Sequence, residues 1–206
     1  MRLKKLEEYK KQLKFTNEQR ELIVGLLLGD GHLETQNNQT YRLKVEHSIK
    51  QKNYVDWLYQ NFSKWINQLP KARIKDSFGK ELTSYGFTTY SSGLLRFYAQ
   101  QFYFGKKKVM PKMIGKLLSP KALAIWFMDD GSWKSDRHHT YIIHSLDYSK
   151  KELTFVREVL KKKFDVNIGI HKQYDKWRIY IYSDSAEKFK QLIEPHIIPS
   201  MKYKLG

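Results

Sequence analysis

The chain has 206 residues, 41% hydrophobic and 15% aromatic, enough for one large domain or two small lobes sharing a core. Its 38 Lys and Arg against 21 Asp and Glu give a formal charge of +17, a field that draws polyanions, nucleic acid first and an anionic membrane surface second. The absence of cysteine excludes a disulfide framework and thiolate zinc sites, and with them zinc fingers and zinc deaminases.

The opening stretch, MRLKKLEEYKKQLKF, lacks an apolar signal core and carries Glu7 and Glu8, so no export signal is visible. The expected location is an organelle or the cytoplasm, and the abundance of Lys, Asn, Ile and Tyr fits an AT-rich organellar genome. Next, ELIVGLLLGDGHLE (21–34) predicts an apolar helix that runs into Asp30 and Gly31. An acid at a helix C-terminus faces the negative end of the dipole, which is unfavourable unless a cation sits there. Gly25 and Gly29 lie four apart on one face, a notch where another helix can approach closely. The apolar run Leu22 to Leu28 is too short to span a bilayer, which needs ~20 residues.

TYRLKVEHS predicts a strand in which Tyr41, Leu43, Val45 and His47 alternate with Arg42, Lys44, Glu46 and Ser48. NYVDWLYQNFSKWINQL carries Val55, Leu58, Tyr59, Phe62 and Ile66 at helical spacing. KARIKDSF, with Arg73 and Lys75 on one face, and SYGFTTYS predict two more strands, SGLLRFYAQQFY a helix, and GKKKVMPKM a basic segment. Pro111, Gly115 and Pro120 mark a linker near 112–121 between a first lobe, 1–111, and a second, 122–206.

The second lobe repeats the first. ALAIWFMDDGSWK (122–134) sets Asp130 and Gly131 in the same relation, and RHHT reads as a polar loop. HTYIIHSL predicts a strand, and SKKELTFVREVLKKKF a helix with Ser149 as cap and Glu152 completing a capping box. NIGIHKQYDKWRIYIYSD predicts a hairpin turned near Asp175, with Lys176, Arg178, Tyr180 and Tyr182 on one face against Trp177, Ile179 and Ile181. SAEKFKQLIE predicts a helix, and PHIIPSMKYKL echoes the basic Pro segment. Both halves read helix, strand, helix, strand pair, helix, which predicts an α+β fold with antiparallel sheets.

If the two motif helices pack on each other, Asp30 and Asp130 arrive together. Adjacent carboxylates repel unless a divalent cation neutralises them, and oxygen-only ligation suits Mg²⁺, with Mn²⁺ as a substitute. Under a basic surface this is equipment for phosphodiester hydrolysis. Alone, an apolar helix ending in Asp-Gly is a helix meeting a turn, with Gly in the left-handed position; its repetition in a doubled, basic chain is what points to chemistry. An EF-hand reading of DDGSWK fails for want of the acidic spacing and closing Glu. Arg42, Lys44, Arg73, Lys75, Lys176 and Arg178, with Tyr180 and Tyr182, supply long side chains that can reach base edges and phosphates of DNA.

IVGLLLGDG (23–31) and LAIWFMDDG (123–131) resemble the paired signature of the LAGLIDADG homing endonucleases, in their double-motif single-chain branch. The second motif and PHIIPSMKYKL are most similar to the yeast mitochondrial omega-intron enzyme and its organellar relatives. The resemblance implies a pseudo-twofold monomer of two αββαββα-like lobes, with saddle-shaped antiparallel sheets and two central motif helices, on a long asymmetric site in double-stranded DNA. It implies that Asp30 and Asp130 bind catalytic Mg²⁺, assisted by the carbonyls of Gly29 and Asp129, and that both strands are cut across the minor groove to leave short 3′ overhangs. It also implies a basic residue near each scissile phosphate, by likeness of segment Lys108 and Lys204. Aligning Pro111 with Pro199 pairs Lys204 with Lys116 instead. Gly25 corresponds to Ile125, so the notch is not symmetric, and Ala122 or Ala124 is left to supply the small surface. The alternative is an intron RNA maturase or splicing factor of the same fold, against which stands the pair of acids that would repel bound polyanion.

Overall fold

The computed structural model describes residues 2–77, 80–135 and 138–206, with side chains throughout except those of Arg2, Leu3, Lys75, Ser77 and Lys80. Arg137 of the RHHT stretch and Phe78 of KARIKDSF therefore lie outside the described residues. The chain forms two compact units, Met1–Arg20 with Asp30–Ala99, and Glu21–Gly29 with Gln100–Gly206. These units cut across the sequence repeat, because the apolar part of the first motif helix packs with residues of the second half.

In the first unit, α1 (Arg2–Gln12) leads to α2 (Asn17–Leu28), which starts on a capping box. The Thr16 hydroxyl accepts the Gln19 N–H at 3.1 Å, and the Gln19 side chain accepts the Thr16 N–H at 3.1 Å. After Asp30 come β1 (His32–Glu34) and β2 (Arg42–Ser48), then α3 (Lys52–Asn61), β3 (Lys71–Ser77) and β4 (Lys80–Thr88). The sheet is antiparallel in the order β1-β2-β4-β3. On β2 the alternation falls as its sequence dictates, with Leu43, Val45 and His47 buried and Arg42 and Lys44 outward. The α3 helix lies against that apolar face through Tyr54, Val55 and Leu58. It stops at Asn61, short of the predicted span, because the chain tightens into a 3₁₀ turn at Ser63–Trp65 that lets Trp65 stack on Phe15 at 3.9 Å.

The second unit takes Glu21–Gly29 of α2 and resumes at Gln100, in the last turn of α4 (Arg96–Phe102), through a small hairpin, β5 (Tyr103–Phe104) and β6 (Lys107–Lys108), where the sequence predicts the end of a helix and a basic segment. Then come α5 (Ile114–Leu117), α6 (Pro120–Asp130), β7 (Gly131–Trp133), β8 (Tyr141–Ile143), α7 (Lys150–Phe164), β9 (Ile168–Gln173), β10 (Lys176–Ile181) and α8 (Ser183–Ile193), with a terminal 3₁₀ segment at Pro199–Leu205. Ser119 caps α6 and Pro120 occupies its first turn, where a missing N–H costs nothing. The second sheet has the order β7-β8-β10-β9, the topology of the first. Tyr182 falls past the end of β10, at the N-cap of α8, yet its ring stays beside that of Tyr180, with centroids 6.2 Å apart. An aromatic cluster of Phe127, Tyr141 and Phe189, with ring centroids 5.4–5.5 Å apart, fills the unit's centre.

The capping box on α7 is present: the Ser149 hydroxyl accepts the Glu152 N–H, and Glu152 accepts the Ser149 N–H at 2.8 Å and the Met110 N–H at 2.9 Å. Burial raises the Glu152 carboxyl, but the hydrogen bonds from Ser149 and Met110 outweigh it and hold its pKa below the usual range. A depressed folded-state pKa contributes stability that is present above the unfolded value near 4.5 and is lost as pH falls through the folded value. Ser149→Ala is expected to cost about 0.5–2 kcal/mol at neutral pH. Its deficit should shrink as pH falls through the folded-state value of Glu152, where the carboxyl takes up a proton and its charged hydrogen bonds are lost; urea titrations at neutral and at acid pH measure it.

Candidate active site

Both motif helices end in the second unit, where donors from elsewhere in the unit meet their final carbonyls. Helix ends leave four such acceptors without an intrahelical donor. On α2, the Tyr148 hydroxyl donates to the Leu28 carbonyl at 3.1 Å and the Lys108 ammonium donates to the Gly29 carbonyl. On α6, the Gly131 N–H reaches the Phe127 carbonyl. The Lys204 ammonium donates to the Met128 and Asp129 carbonyls, at 3.0 Å for the latter, and the His144 N–H reaches the Asp130 carbonyl at 2.9 Å. A lysine thus sits at the negative pole of each motif helix, where a cation is favourable. Lys108 occupies in the first motif the place that Lys204 occupies in the second, while Lys116 is an exposed residue of α5. Burial, with the nearby charges of Asp130 and Asp147, pushes the Tyr148 hydroxyl far up, so it remains a donor.

The acids differ in setting. Asp129 is buried, and its carboxylate lies against Gly29, where an added Cβ would collide with it. Asp130 turns back on its own helix and accepts the Trp126 Nε1–H at 3.1 Å. Asp30, one bond beyond Gly29, belongs to the first unit, where His47 Nδ1 lies 3.4 Å from its Oδ2. Asp30, His32, Lys44, Glu46 and His47 line an open cleft of about 440 Å³ in that unit. Gly131 is extended, at φ −82° and ψ 154°, not left-handed. Its lack of a side chain is required because the Phe127 ring and carbonyl occupy the space a Cβ would fill.

The outward sheet faces carry the predicted cations. In the first unit Arg42 pairs with Glu34 at 2.8 Å, Lys44 with Glu46 at 3.3 Å, and Arg73 with Glu46 at 3.4 Å, around a groove that also includes Lys71 and Thr88. The Arg42–Glu34 pair is open to solvent on both sides, and such a pair contributes ~1 kcal/mol or less, so a phosphate can displace it. Lys75 lies on β3, its side chain outside the described set. In the second unit Arg178 donates to Gln173 at 3.3 Å, His171 stacks on Tyr180 at 4.8 Å, and Lys134 Nζ lies 4.8 Å from the centroid of the same Tyr180 ring. Lys176 is exposed at the hairpin end, and Tyr182 lines a groove beside Arg157 and Lys161 of α7. Burial, then the charges of Arg178 and Lys204, hold His144 below its usual pKa, and its Nε2 lies 3.1 Å from the Ser132 hydroxyl.

The sequence reading did not single out His47, Trp126, Tyr148, His144 or the Asp129 carboxylate as site residues. His47 and Trp126 occupy apolar phases of their elements, and an apolar phase reads as core. Tyr148 sits in a loop, and only the repeated acid beside Asp130 offered a signal for Asp129.

The sequence profile of the LAGLIDADG DNA endonuclease family matches residues 20–189. Probable intron-encoded endonuclease 1 of Wickerhamomyces canadensis is 29% identical over 210 residues, covering 98% of this chain and 90% of that protein. Cytochrome b mRNA maturase bI2 of Debaryomyces hansenii is 30% identical over 193 residues, covering 90% of this chain and 72% of that protein. The structure of the homing endonuclease I-WcaI bound to its DNA recognition sequence matches with a TM-score of 0.91 at 26% identity, over 98% of this chain and 92% of that one. The α+β architecture with two four-stranded antiparallel sheets is shared with that structure. With the profile running through both motifs and across most of its length, the chain belongs to the LAGLIDADG DNA endonuclease family.

Proposed function

We propose that the chain is a monomeric, sequence-specific homing endonuclease that hydrolyses both strands of duplex DNA with Mg²⁺, or Mn²⁺ in its place, leaving short 3′ overhangs. The observation that carries this reading is the duplicated helix end: each motif closes on an acid-glycine step whose preceding carbonyl is gripped by a lysine from a basic Pro segment. The donor set fits a hard divalent cation. Asp129 is a buried acid beside a second acid at the negative end of a helix, a placement that favours a bound cation, and the surrounding donors are carboxylate and carbonyl oxygens.

Asp30 in the first unit, and Asp129 and Asp130 in the second, would serve as magnesium ligands, with the carbonyls of Gly29 and Asp129 as assisting oxygens, since each carbonyl has a second lone pair beside the one its lysine uses. Bound there, magnesium supplies Lewis-acid polarisation of the phosphate and a water of lowered pKa. Lys108 and Lys204 hold positive charge at the helix ends, where charge develops on the phosphate oxygens. Arg42, Lys44, Arg73, Lys75, Lys176 and Arg178 bind the DNA backbone and base edges, and Tyr180 and Tyr182 add aromatic surface. The likeness of the second motif and closing segment to the omega-intron branch supports an organellar intron as the origin. Among the described residues, no helix is long and apolar enough to cross a membrane.

A second reading, RNA maturase, is favoured by the likeness to the bI2 maturases. Selection from a randomised duplex library separates the two. The nuclease reading expects Mg²⁺-dependent cutting of both strands at one long asymmetric site, abolished by EDTA. Stimulated splicing of an intron RNA with no metal-dependent cutting of any library member would overturn it.

A further inference from the structure

Each motif acid meets a different ring nitrogen. In the first unit the Asp30 side chain is 51% exposed, whereas the His47 side chain is 1% exposed. The ring is the fixed partner: its backbone pairs with Tyr85 across β2 and β4, and its face packs on buried Tyr54 with centroids 5.1 Å apart. From that seat His47 Nδ1 faces Asp30 Oδ2 at 3.4 Å.

Strand pairing identifies the second-half counterpart. His32 pairs with Lys44, and Ser132 with Ile142. Counted from Gly31 and Gly131, His47 therefore corresponds to Ser145, a short buried side chain with no ring. Asp130 is met from elsewhere, by Trp126 Nε1 at 3.1 Å from one turn back on α6. The first motif has Leu26 at that place, which has no donor.

We infer that the two acids are oriented by unlike positioning residues, His47 for Asp30 and Trp126 for Asp130, so that the cutting of each DNA strand is tuned by a separate residue. The inference rests on the nuclease reading above. A carboxylate held in one rotamer by a packed N–H does not have to be ordered when the cation arrives, and such orienting partners are typically worth ~10- to 100-fold in metal affinity or activity. The duplicated fold thus keeps the acids equivalent while their supports have diverged.

The test is strand-resolved. Full-length protein is incubated with Mg²⁺ and its selected duplex, each strand labelled in turn, and with supercoiled plasmid carrying the same site. His47→Leu, which fills the space without a donor, is expected to slow one strand ~10- to 100-fold, to accumulate nicked circles, and to bind Mn²⁺ more weakly in calorimetry on the protein without DNA. His47→Asn, which returns an N–H near the Nδ1 position, is expected to restore much of the lost rate. Trp126→Phe should slow the opposite strand. A wild type that does not cut sinks the nuclease reading itself. A wild type that cuts, with His47→Leu slowing both strands equally or neither, overturns the inference alone. If His47→Leu fails to fold, the strand ratio of Trp126→Phe decides in the same way.

Discussion

Asp30→Asn and Asp130→Asn are each expected to reduce plasmid linearisation by at least ~100-fold while affinity for the duplex holds or rises. The chemistry is differential. An amide has nearly the size of a carboxylate and keeps one oxygen, but it lacks the charge that makes the group a ligand for a hard divalent cation. Removing an anion beneath a polyanion also relieves repulsion, so binding does not fall with cleavage. The fold tolerates the change, because Asp30 is exposed and Asp130 can still accept the Trp126 N–H through its amide oxygen. Linear product and gel-shift affinity, measured at one salt concentration, separate the two effects. Linearisation at the wild-type rate by either variant would remove that acid from the reaction.

The two motif helices were legible because each signals in several independent ways: an unbroken apolar run, an acid at the wrong pole of the dipole, and repetition in one chain. The α7 capping box was legible because it is local, four residues read in order. What stayed hidden is either very short or non-local. Strands β1 and β7 span three residues each, too few for a period of two to show. The hairpin Tyr103–Lys108 turns at Gly105, at φ 60°, inside what reads as a run of lysines. Lys108 and Lys116 are equivalent as sequence, and only the fold brings Lys108 to the Gly29 carbonyl. His47 shows the limit best. In β2 it stands in the buried phase beside Leu43 and Val45, and nothing in that pattern distinguishes a packing histidine from one aimed at an acid.

Gly25→Ala is expected to destabilise the protein by ~1–3 kcal/mol, although the same change in an exposed helix stabilises by ~1 kcal/mol. The reason is the notch predicted from the spacing of Gly25 and Gly29. In the second unit a Cβ on Gly25 would lie 2.5 Å from Ile125 Cβ and 2.6 Å from the Ala122 carbonyl oxygen, distances that no real Cβ occupies. The small surface opposite is therefore not an alanine side chain, as the sequence suggested, but a stretch of α6 backbone with the root of Ile125. That makes the clash hard to relieve. Ile125→Ala keeps the offending Cβ, and no side-chain change moves the Ala122 carbonyl, so the double variant is expected to remain as unstable as Gly25→Ala or worse. Gly93 is the control, since an added Cβ there meets nothing within 4 Å, and Gly93→Ala should be neutral or slightly stabilising. For a chain of this size a loss of 1 kcal/mol lowers Tm by ~2–4 °C, so thermal melts of the three variants resolve the effect. A Gly25→Ala protein that melts with or above the wild type would mean that the motif helices have room to part, and that their close approach does not set the position of the acids at their ends.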